Sequence, residues 1–282
     1  MQFGDLELTT ISGGWFRLDG GAMFGVVPKP LWSRVVTPDP ENRIQLATRC
    51  VLIRTPAQTV LIETGYGGKL SPREREIYQA EGGEPLVTSL SECGVDPAAV
   101  DVVILTHLHF DHAGGATTRD ADGTLRPTFP NAEYVVQRWE WQIATANFPE
   151  LRGSYPLDNL LPLHERGQLR LIDGDAEVAP GIHVELTGGH TPGHQVVLIE
   201  SAGQTAVFLG DLCPTAWHLP QLWCMGYDLE LLLLRRQKRD LLGRIADGGW
   251  LALFDHDPTM AACRIQRDAR RDFVVAEAIK SL

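Results

Sequence analysis

Short apolar runs recur along the whole chain and are separated by polar or glycine-rich segments. Runs of this length, rich in Val, Ile, Leu and Phe, predict buried β-strands. The predicted strands cover residues 6–11, 46–54, 59–63, 101–106, 132–137, 182–187, 205–209 and 250–254. Four segments between them have polar or amphipathic helical patterns and predict helices over 72–82, 86–93, 138–146 and 228–246, and Gly248-Gly249 should end the last of these. The pattern of 263–277 fits a terminal hairpin or a short helix.

Residues 13–40 break this pattern. The stretch combines Gly and Pro with large apolar side chains such as Trp15, Phe16, Phe24 and Trp32, and it predicts a long irregular loop. Long loops inside a compact domain are often lids or binding loops. The stretch therefore either covers a substrate or closes one end of the core. With this loop included, residues 1–282 are expected to form a single domain.

Composition and charge narrow the classes of function. The chain has 282 residues, is 44% hydrophobic and carries a net charge of -11. No basic stripe is available for a phosphate backbone, so a nucleic-acid partner is not expected. The five cysteines are odd in number and scattered, without a CxxC pair. We therefore expect reduced thiols in a cytoplasmic protein, with no signal peptide and no membrane span.

The strongest chemical signal follows the strand 101–106. Four candidate metal ligands lie within six residues there: His107, His109, Asp111 and His112. His107 and His109 are two apart in an extended segment, so both rings point to one side and can bind one ion. Asp111 and His112 lie beyond the bend and can reach a second ion. Imidazole with carboxylate suits zinc, or iron and manganese.

Further ligand-type residues follow other predicted strands: His190, Asp211 and His256. Ligands placed beyond the same ends of neighbouring strands are expected to converge on one site. The set of five histidines and two aspartates can hold two divalent ions and leave positions open for water and substrate. Structural zinc sites are usually closed and rich in cysteine, so this set indicates a catalytic site.

Four other residues are weaker candidates. His183 alternates with apolar neighbours along its strand and is expected not to bind metal, and His164 is expected to be solvated. His194 is expected to shape its turn or to orient a ligand by a hydrogen bond. Cys213 is expected to be a small buried thiol.

The segment His107-Leu-His109-Phe-Asp111-His112 has the form HxHxDH, and the sequence resembles metallo-β-lactamase-fold metallohydrolases from about residue 44 to residue 256. The resemblance implies an α/β fold, an αββα sandwich of two mixed sheets with helices outside. It implies that His107, His109 and His190 hold the first metal. It also implies that Asp111, His112 and His256 hold the second, with Asp211 between the two ions.

Within that superfamily, His190-Thr-Pro-Gly-His194 and Gly210-Asp211 resemble the quorum-quenching N-acyl homoserine lactonases and the related organophosphate hydrolases. Asp211 argues against the true β-lactamases, which generally lack this residue. The chain departs from many lactonases at Pro214, where those enzymes have a tyrosine. His218 or Tyr227 is the candidate to supply the missing hydrogen bond.

The expected function is hydrolysis of an uncharged, fairly apolar ester, with an N-acyl homoserine lactone as first choice. A hydroxide shared by two divalent ions, zinc before iron, manganese or cobalt, would attack the carbonyl carbon. Asp111 is the candidate to move the proton to the leaving oxygen. The substrate pocket is expected to include Phe24, Trp217, His218 and Tyr227.

Several alternatives stay open. One is an aryl ester or organophosphate hydrolase, and another is a thioesterase like glyoxalase II, which would use the arginines near the C-terminus. An iron-dependent redox member of the same fold would use the same ligands. A non-enzymatic binding module is disfavoured because all seven ligands are intact. The aromatic segments are compatible with a homodimer.

Overall fold

The computed structural model describes all residues of the chain, Met1–Leu282. Sixteen strands form its sheets: β1 (Gln2–Phe3), β2 (Leu6–Asp19), β3 (Arg43–Arg54), β4 (Thr59–Ile62), β5 (Val102–Ile104), β6 (Thr117–Arg119), β7 (Leu125–Pro127), β8 (Glu133–Gln137), β9 (Leu169–Ile172), β10 (Ala176–Ala179), β11 (Ile182–Leu186), β12 (Gln195–Ser201), β13 (Gln204–Phe208), β14 (Leu251–Leu253), β15 (Ala262–Asp268) and β16 (Asp272–Ile279). Two sheets have seven strands each, in the orders β1-β2-β3-β4-β5-β8-β9 and β10-β11-β12-β13-β14-β15-β16. Strands β6 and β7 form a separate hairpin.

Eight helices accompany the sheets: α1 (Gly20–Phe24), α2 (Lys29–Trp32), α3 (Pro72–Tyr78), α4 (Pro85–Glu92), α5 (Phe110–Ala113), α6 (Arg138–Thr145), α7 (Leu161–Glu165) and α8 (Leu231–Gly248). The four helices predicted from the sequence correspond to α3, α4, α6 and α8. As predicted, α8 ends at the glycine pair, because Gly249 takes the left-handed conformation, with φ of 63°. None of the helices has the length and hydrophobicity needed to cross a bilayer.

The two sheets pack face to face, and the strand alternation explains the layers. In β3, Val51 and Ile53 belong to a core cluster that also contains residues of the second sheet, such as Val197. Cys50 and Leu52 point to the opposite side and pack with residues of α4 and α6. Apolar residues of α8 cover the outer face of the second sheet. The order of layers is therefore helix, sheet, sheet, helix, which confirms the predicted αββα sandwich.

The prediction for residues 13–40 was wrong in its structure. Strand β2 does not end at Ile11 but continues to Asp19, and α1 and α2 follow. The strand has a register shift between Ser12 and Trp15. Gly14 lies in this bulge with φ of 111°, and a Cβ atom there would lie 2.2 Å from the hydroxyl of Tyr66. The glycines therefore allow a strand to pass close to a side chain, and they do not mark a loop.

Other parts of the pattern were resolved or missed. Residues 263–277 lie in the β15–β16 hairpin and not in a helix. An exposed turn connects β6 to β7. Strands β1, β6, β7, β9, β10 and β12 were not predicted. Three of them, β1, β9 and β10, are edge strands or short, and β12 directly follows the glycine-rich segment that contains His190.

Candidate metal centre

Every candidate ligand lies in a segment that begins where a strand ends. Strands β4 and β5 run parallel, as do β13 and β14. The segment after β5, which includes α5, carries four candidates, and the segments after β11, β13 and β14 carry one each. All seven are buried or nearly so: His107, His109, Asp111, His112, His190, Asp211 and His256. The structure thus brings the sequence-predicted ligands together at one end of the two sheets.

One group of ligand atoms is formed by three histidines and an aspartate. His107 Nε2 lies 3.0 Å from His109 Nδ1, and His190 Nε2 lies 3.1 Å from the same atom. The Oδ2 atom of Asp211 is 3.0 Å from His190 Nε2. These four residues are the ones that the sequence assigned to the first metal and to the position between the metals.

A second group lies on the other side of Asp211. His112 Nε2 is 3.2 Å from His256 Nε2. The Oδ1 atom of Asp211 is 3.4 Å from His256 Nε2, and Oδ2 of Asp111 is 3.5 Å from it. Asp255, which the sequence analysis did not single out, contributes one oxygen to this group, whereas Asp111, which was predicted to bind the second metal, lies beside the group and not in it. Asp211 therefore belongs to both groups.

In His190 and His256, the hydrogen bond made by Nδ1 leaves Nε2 facing the other candidate ligands. His190 Nδ1 lies 2.9 Å from Oδ1 of Asp228, and His256 Nδ1 lies 2.7 Å from the carbonyl oxygen of Ala47. A carbonyl only accepts, so His256 donates from Nδ1 and carries a lone pair on Nε2. A buried cluster of inward-facing nitrogens beside an Asp211 oxygen that has no hydrogen-bond partner is suited to a divalent cation. The donor set therefore fits the metals implied by the sequence.

Burial, the neighbouring imidazoles and the charge of Asp211 dominate the electrostatics of these protein groups. Burial and the neighbouring imidazoles hold the pKa of His107 and of His109 well below the usual value. Burial alone would raise the pKa of Asp211, but His190 and His112 hold it well below its usual range. Burial opposes charge on His190, yet Asp211 and Asp228 raise its pKa to about 10. Asp211 is thus an ionised carboxylate between two imidazole groups.

His194 has the role expected from its position. Its Nε2 atom accepts a hydrogen bond from the backbone N–H of Asp211 at 3.1 Å, and its Nδ1 atom lies 2.7 Å from the Thr187 hydroxyl. Gly210 precedes Asp211 with φ of 49°, and a Cβ atom there would lie 2.8 Å from His194 Nε2. His194 and Gly210 therefore fix the backbone that carries Asp211.

Sequence reasoning missed Glu140, a fully buried residue of α6. Its carboxylate accepts hydrogen bonds from Leu108 N–H at 3.0 Å, the Tyr155 hydroxyl at 3.0 Å and the Thr191 hydroxyl at 2.7 Å. Leu108 and Thr191 adjoin ligands of the first group, so Glu140 joins two ligand loops. The only sequence signal was a glutamate on the same helical face as Ala144, which is also buried.

Three other candidates lie outside the ligand groups, as expected. His183 is partly exposed and lies 3.5 Å from Glu200. His164 is exposed. Cys213 is a buried free thiol whose Sγ atom lies 3.7 Å from the carbonyl oxygen of Thr215.

The residues proposed for the substrate pocket fall into two sets. Phe24 and His218 are 0% and 1% exposed, and their rings stack at 5.1 Å. His218 uses one nitrogen toward the Thr215 hydroxyl at 2.8 Å and the other toward the Met23 carbonyl at 2.8 Å. Both ring nitrogens of His218 are therefore occupied, and neither is left to bind a substrate. Trp217 is partly exposed.

Tyr227 is 41% exposed and lies on a turn held from two sides. Gly226 N–H donates to Ala22 O at 2.7 Å, and Leu229 N–H donates to the carbonyl of the ligand His190 at 3.0 Å. Burial, followed by the charges of Asp111 and Asp19, raises the pKa of Tyr227 to about 12. The phenol is therefore protonated at neutral pH and can donate a hydrogen bond.

Two cavities differ in their relation to the ligands. A cavity of about 250 Å³ lies beside Phe110, within the ligand motif, and is also lined by Tyr66, Leu70 and residues 156–159. A larger one, of about 430 Å³, is lined by residues of β10, β11, β12 and α8 and contains none of the ligands. The smaller cavity is not lined by a candidate ligand either, but it includes Phe110, which lies between His109 and Asp111 in the sequence.

Comparison with known proteins agrees with this arrangement. Residues 43–217 match the family described as the metallo-beta-lactamase superfamily. An N-acyl homoserine lactonase from Bacillus cereus is 32% identical over 180 residues, and the match covers 60% of this chain. The chain spans 65% of the length of that relative.

Two solved structures are similar over nearly the whole chain. A "probable metal-dependent hydrolase" from Staphylococcus aureus is 33% identical, with a TM-score of 0.92 over 99% of this chain and 98% of the other. The dizinc quorum-quenching lactonase AidC, solved with a product, has a TM-score of 0.80 over 98% of this chain and 96% of the other. At 20% identity, the second likeness concerns the fold alone.

Proposed function

This chain belongs to the metallo-beta-lactamase superfamily and is a metal-dependent hydrolase, and we propose that it opens the ring of N-acyl homoserine lactones at a centre of two divalent metal ions. The observation that carries the proposal is the position of Asp211, which belongs to both groups of ligand atoms. A carboxylate shared in this way is suited to hold two cations side by side. We expect zinc, which takes imidazole and carboxylate ligands.

Two bound ions would supply an activated water and polarise the lactone carbonyl. His107, His109 and His190 would hold one ion, and Asp111, His112 and His256 the other. Water adds to the carbonyl carbon, the ring C–O bond breaks, and the products are a carboxylate, a hydroxyl group and a proton. Asp111 is the carboxylate that we assign to hold a proton and deliver it to the leaving oxygen.

The proposed substrate class rests on an aromatic wall beside the second ligand group. Phe16 lies 5.6 Å from the His256 ring and 6.4 Å from Phe110, measured between ring centroids. Tyr78 stacks on Phe110 at 5.0 Å. Trp217 packs on the same apolar cluster. Phe16 is buried, but Tyr78, Phe110 and Trp217 are partly exposed, and such a surface favours an uncharged substrate with an apolar acyl chain.

The position of the C-terminal arginines disfavours the thioesterase alternative. Arg267 pairs with Asp247 at 2.7 Å, and Arg264 lies 3.5 Å from Glu277. Both arginines lie on β15, and neither lines the cavity beside Phe110. A glutathione thioester carries carboxylates, which these arginines are not placed to bind.

Many lactonases have a tyrosine where this chain has Pro214, and we assign the hydrogen bond of that tyrosine to Tyr227 in this chain. The carbonyl of Pro214 accepts from His256 N–H at 3.1 Å, so this position still supports a ligand through its backbone. It offers no hydroxyl group. Tyr227 offers one from a turn that is tied to the His190 loop, and His218 does not.

The test is turnover of a medium-chain N-acyl homoserine lactone by the metal-loaded protein, with an aryl phosphotriester and a thioester measured beside it. We expect a lactone kcat/KM of at least ~10⁴ M⁻¹s⁻¹, the low end for an enzyme and its evolved substrate. His109→Ala should lose metal and lose activity by at least about 100-fold. His183→Ala, a histidine change outside the centre, should keep both.

Three results would count against different parts of the proposal. Full metal content and full activity in folded His109→Ala would remove the assigned ligands from the chemistry. Lactone turnover far below turnover of the phosphotriester or the thioester would keep a metal-dependent hydrolase but replace the substrate. Iron in protein purified without added metal, with a matching absorption spectrum, would favour the redox alternative.

A further inference from the structure

Two buried carboxylates lie beside the second ring nitrogen of His112. The Nδ1 atom is 3.5 Å from Oε2 of Glu63 and 3.6 Å from Oδ2 of Asp255. Glu63 is 2% exposed and Asp255 is 1% exposed. Neither of these two oxygens has a hydrogen-bond partner. Both oxygens therefore lie at or just beyond the limit of hydrogen-bond distance from the same ring nitrogen of His112.

The other oxygen of each carboxylate is already used. Oε1 of Glu63 accepts from Thr106 N–H at 2.7 Å, and Oδ1 of Asp255 accepts from His256 N–H at 2.8 Å. Glu63 also has φ of 66°, a conformation that residues other than glycine rarely adopt. Such a conformation persists only where the surroundings hold it in place. Both carboxylates are thus fixed with one oxygen toward His112.

The residue after Glu63 holds the backbone of the same histidine. Thr64 donates to the His112 carbonyl oxygen from its N–H at 2.9 Å and from its hydroxyl at 2.7 Å. The end of β4 therefore holds His112 by its main chain and faces its ring with a carboxylate. Asp255 adds a second carboxylate from the end of β14, and its Oδ2 atom is also 3.7 Å from His256 Nε2.

The outer nitrogens of His190 and His256 differ from that of His112, because each has a single hydrogen-bond acceptor. His190 faces one carboxylate, that of Asp228, at 2.9 Å, and His256 faces the neutral carbonyl of Ala47. The buried guanidinium group of Arg49 donates to three backbone carbonyls, those of Phe254, Asp257 and Met260. Its hydrogen bonds therefore do not go to Glu63 or Asp255.

Two carboxylates that face the same N–H in a buried site repel each other unless positive charge lies close by. A divalent ion on the Nε2 side of the His112 ring would supply that charge. We propose that Glu63 and Asp255 are positioning residues that hold His112 with Nε2 toward the second ligand group and set the affinity of the second metal position. This inference rests on the proposed dinuclear centre, but it concerns metal binding and not the substrate.

The test is a stepwise titration of the metal-free protein with Zn²⁺ in competition with a chromophoric chelator, which yields two binding constants. Asp255→Asn and Glu63→Gln should each weaken one Zn²⁺ by about 10- to 100-fold, the usual cost of losing an outer hydrogen-bond partner of a ligand. The other constant should stay within about threefold. Asp228→Asn is the matched control, because it changes the corresponding carboxylate on His190 and should weaken the other Zn²⁺.

Thermal unfolding of each variant separates this role from a general loss of structure. Asparagine keeps the oxygen that accepts from His256 N–H, so Asp255→Asn decides the question if Glu63→Gln does not fold. Unchanged binding constants in folded Asp255→Asn, equal loss of both ions, or one Zn²⁺ per wild-type chain would overturn the proposal. If the variants lose the second Zn²⁺ but the wild type does not hydrolyse the lactone, Glu63 and Asp255 keep their positioning role and the proposed substrate is refuted.

Discussion

In the metal centre each ligand follows the end of a strand, whereas the aromatic wall beside it joins segments that are far apart in the chain. His107 and His112 lie within one short loop. The wall depends on contacts such as that between the Met23 carbonyl and His218, which are 195 residues apart. The centre also joins distant segments, since His112 and His256 are 144 residues apart. Its candidate ligands are nevertheless placed by the strand ends that carry them, whereas the shape of the substrate site depends on packing across the whole fold.

The largest effect on stability and activity should come from replacing Glu140, which joins two segments that carry candidate ligands. Glu140→Ala leaves three buried donors without an acceptor, and we expect a loss of about 3 kcal/mol of unfolding free energy. The activity on the lactone should fall as well, because Leu108 and Thr191 adjoin metal ligands. Urea unfolding and kcat measure the two effects.

Glu150→Ala is the control for this change, because Glu150 is exposed. It should alter the unfolding free energy by no more than about 0.5 kcal/mol. If Glu140→Ala also kept its stability and its metal, the two ligand loops would not depend on each other.

A smaller effect should come from Tyr227, which we assign to the substrate site. Tyr227→Phe removes only a partly exposed hydroxyl group, so stability should change little. We expect kcat/KM on the lactone to fall by about tenfold, the value of one hydrogen bond. Kinetic assays with thermal unfolding beside them check this expectation.

Tyr134→Phe gives the reverse pattern. The Tyr134 hydroxyl donates to Ala116 O at 2.9 Å within the core, so its loss should reduce stability and leave kcat/KM unchanged. Equal kinetics for Tyr227→Phe and the wild type would remove Tyr227 from the substrate site.

The same comparison explains what the sequence revealed. That the candidate ligands would lie together was predictable, because they share one motif or follow apolar strands, and residues of one short segment or of neighbouring strand ends are close in space. Burial of Phe24 and His218 was not predictable, because it depends on α1 packing against residues near 218. Glu140 and Asp255 were missed because their roles also depend on tertiary contacts, and a single carboxylate has no periodic pattern in the sequence.

The extended β2 shows a further limit. Gly13 and Gly14 suggested a loop, but the strand continues because Tyr66, which is far away in the sequence, occupies the space beside Gly14. Only the tertiary contact distinguishes a bulged strand from a turn. Whether residues 13–40 cover a substrate stays a prediction.

The most direct test of the central claim is to add Zn²⁺ stepwise to the metal-free protein and to measure lactone hydrolysis at each ratio. We expect activity to require the second equivalent and to level off at two ions per chain, because Asp211 belongs to both ligand groups. Full activity at one ion per chain would contradict a dinuclear mechanism. Absence of lactone hydrolysis at two bound ions would contradict the proposed substrate.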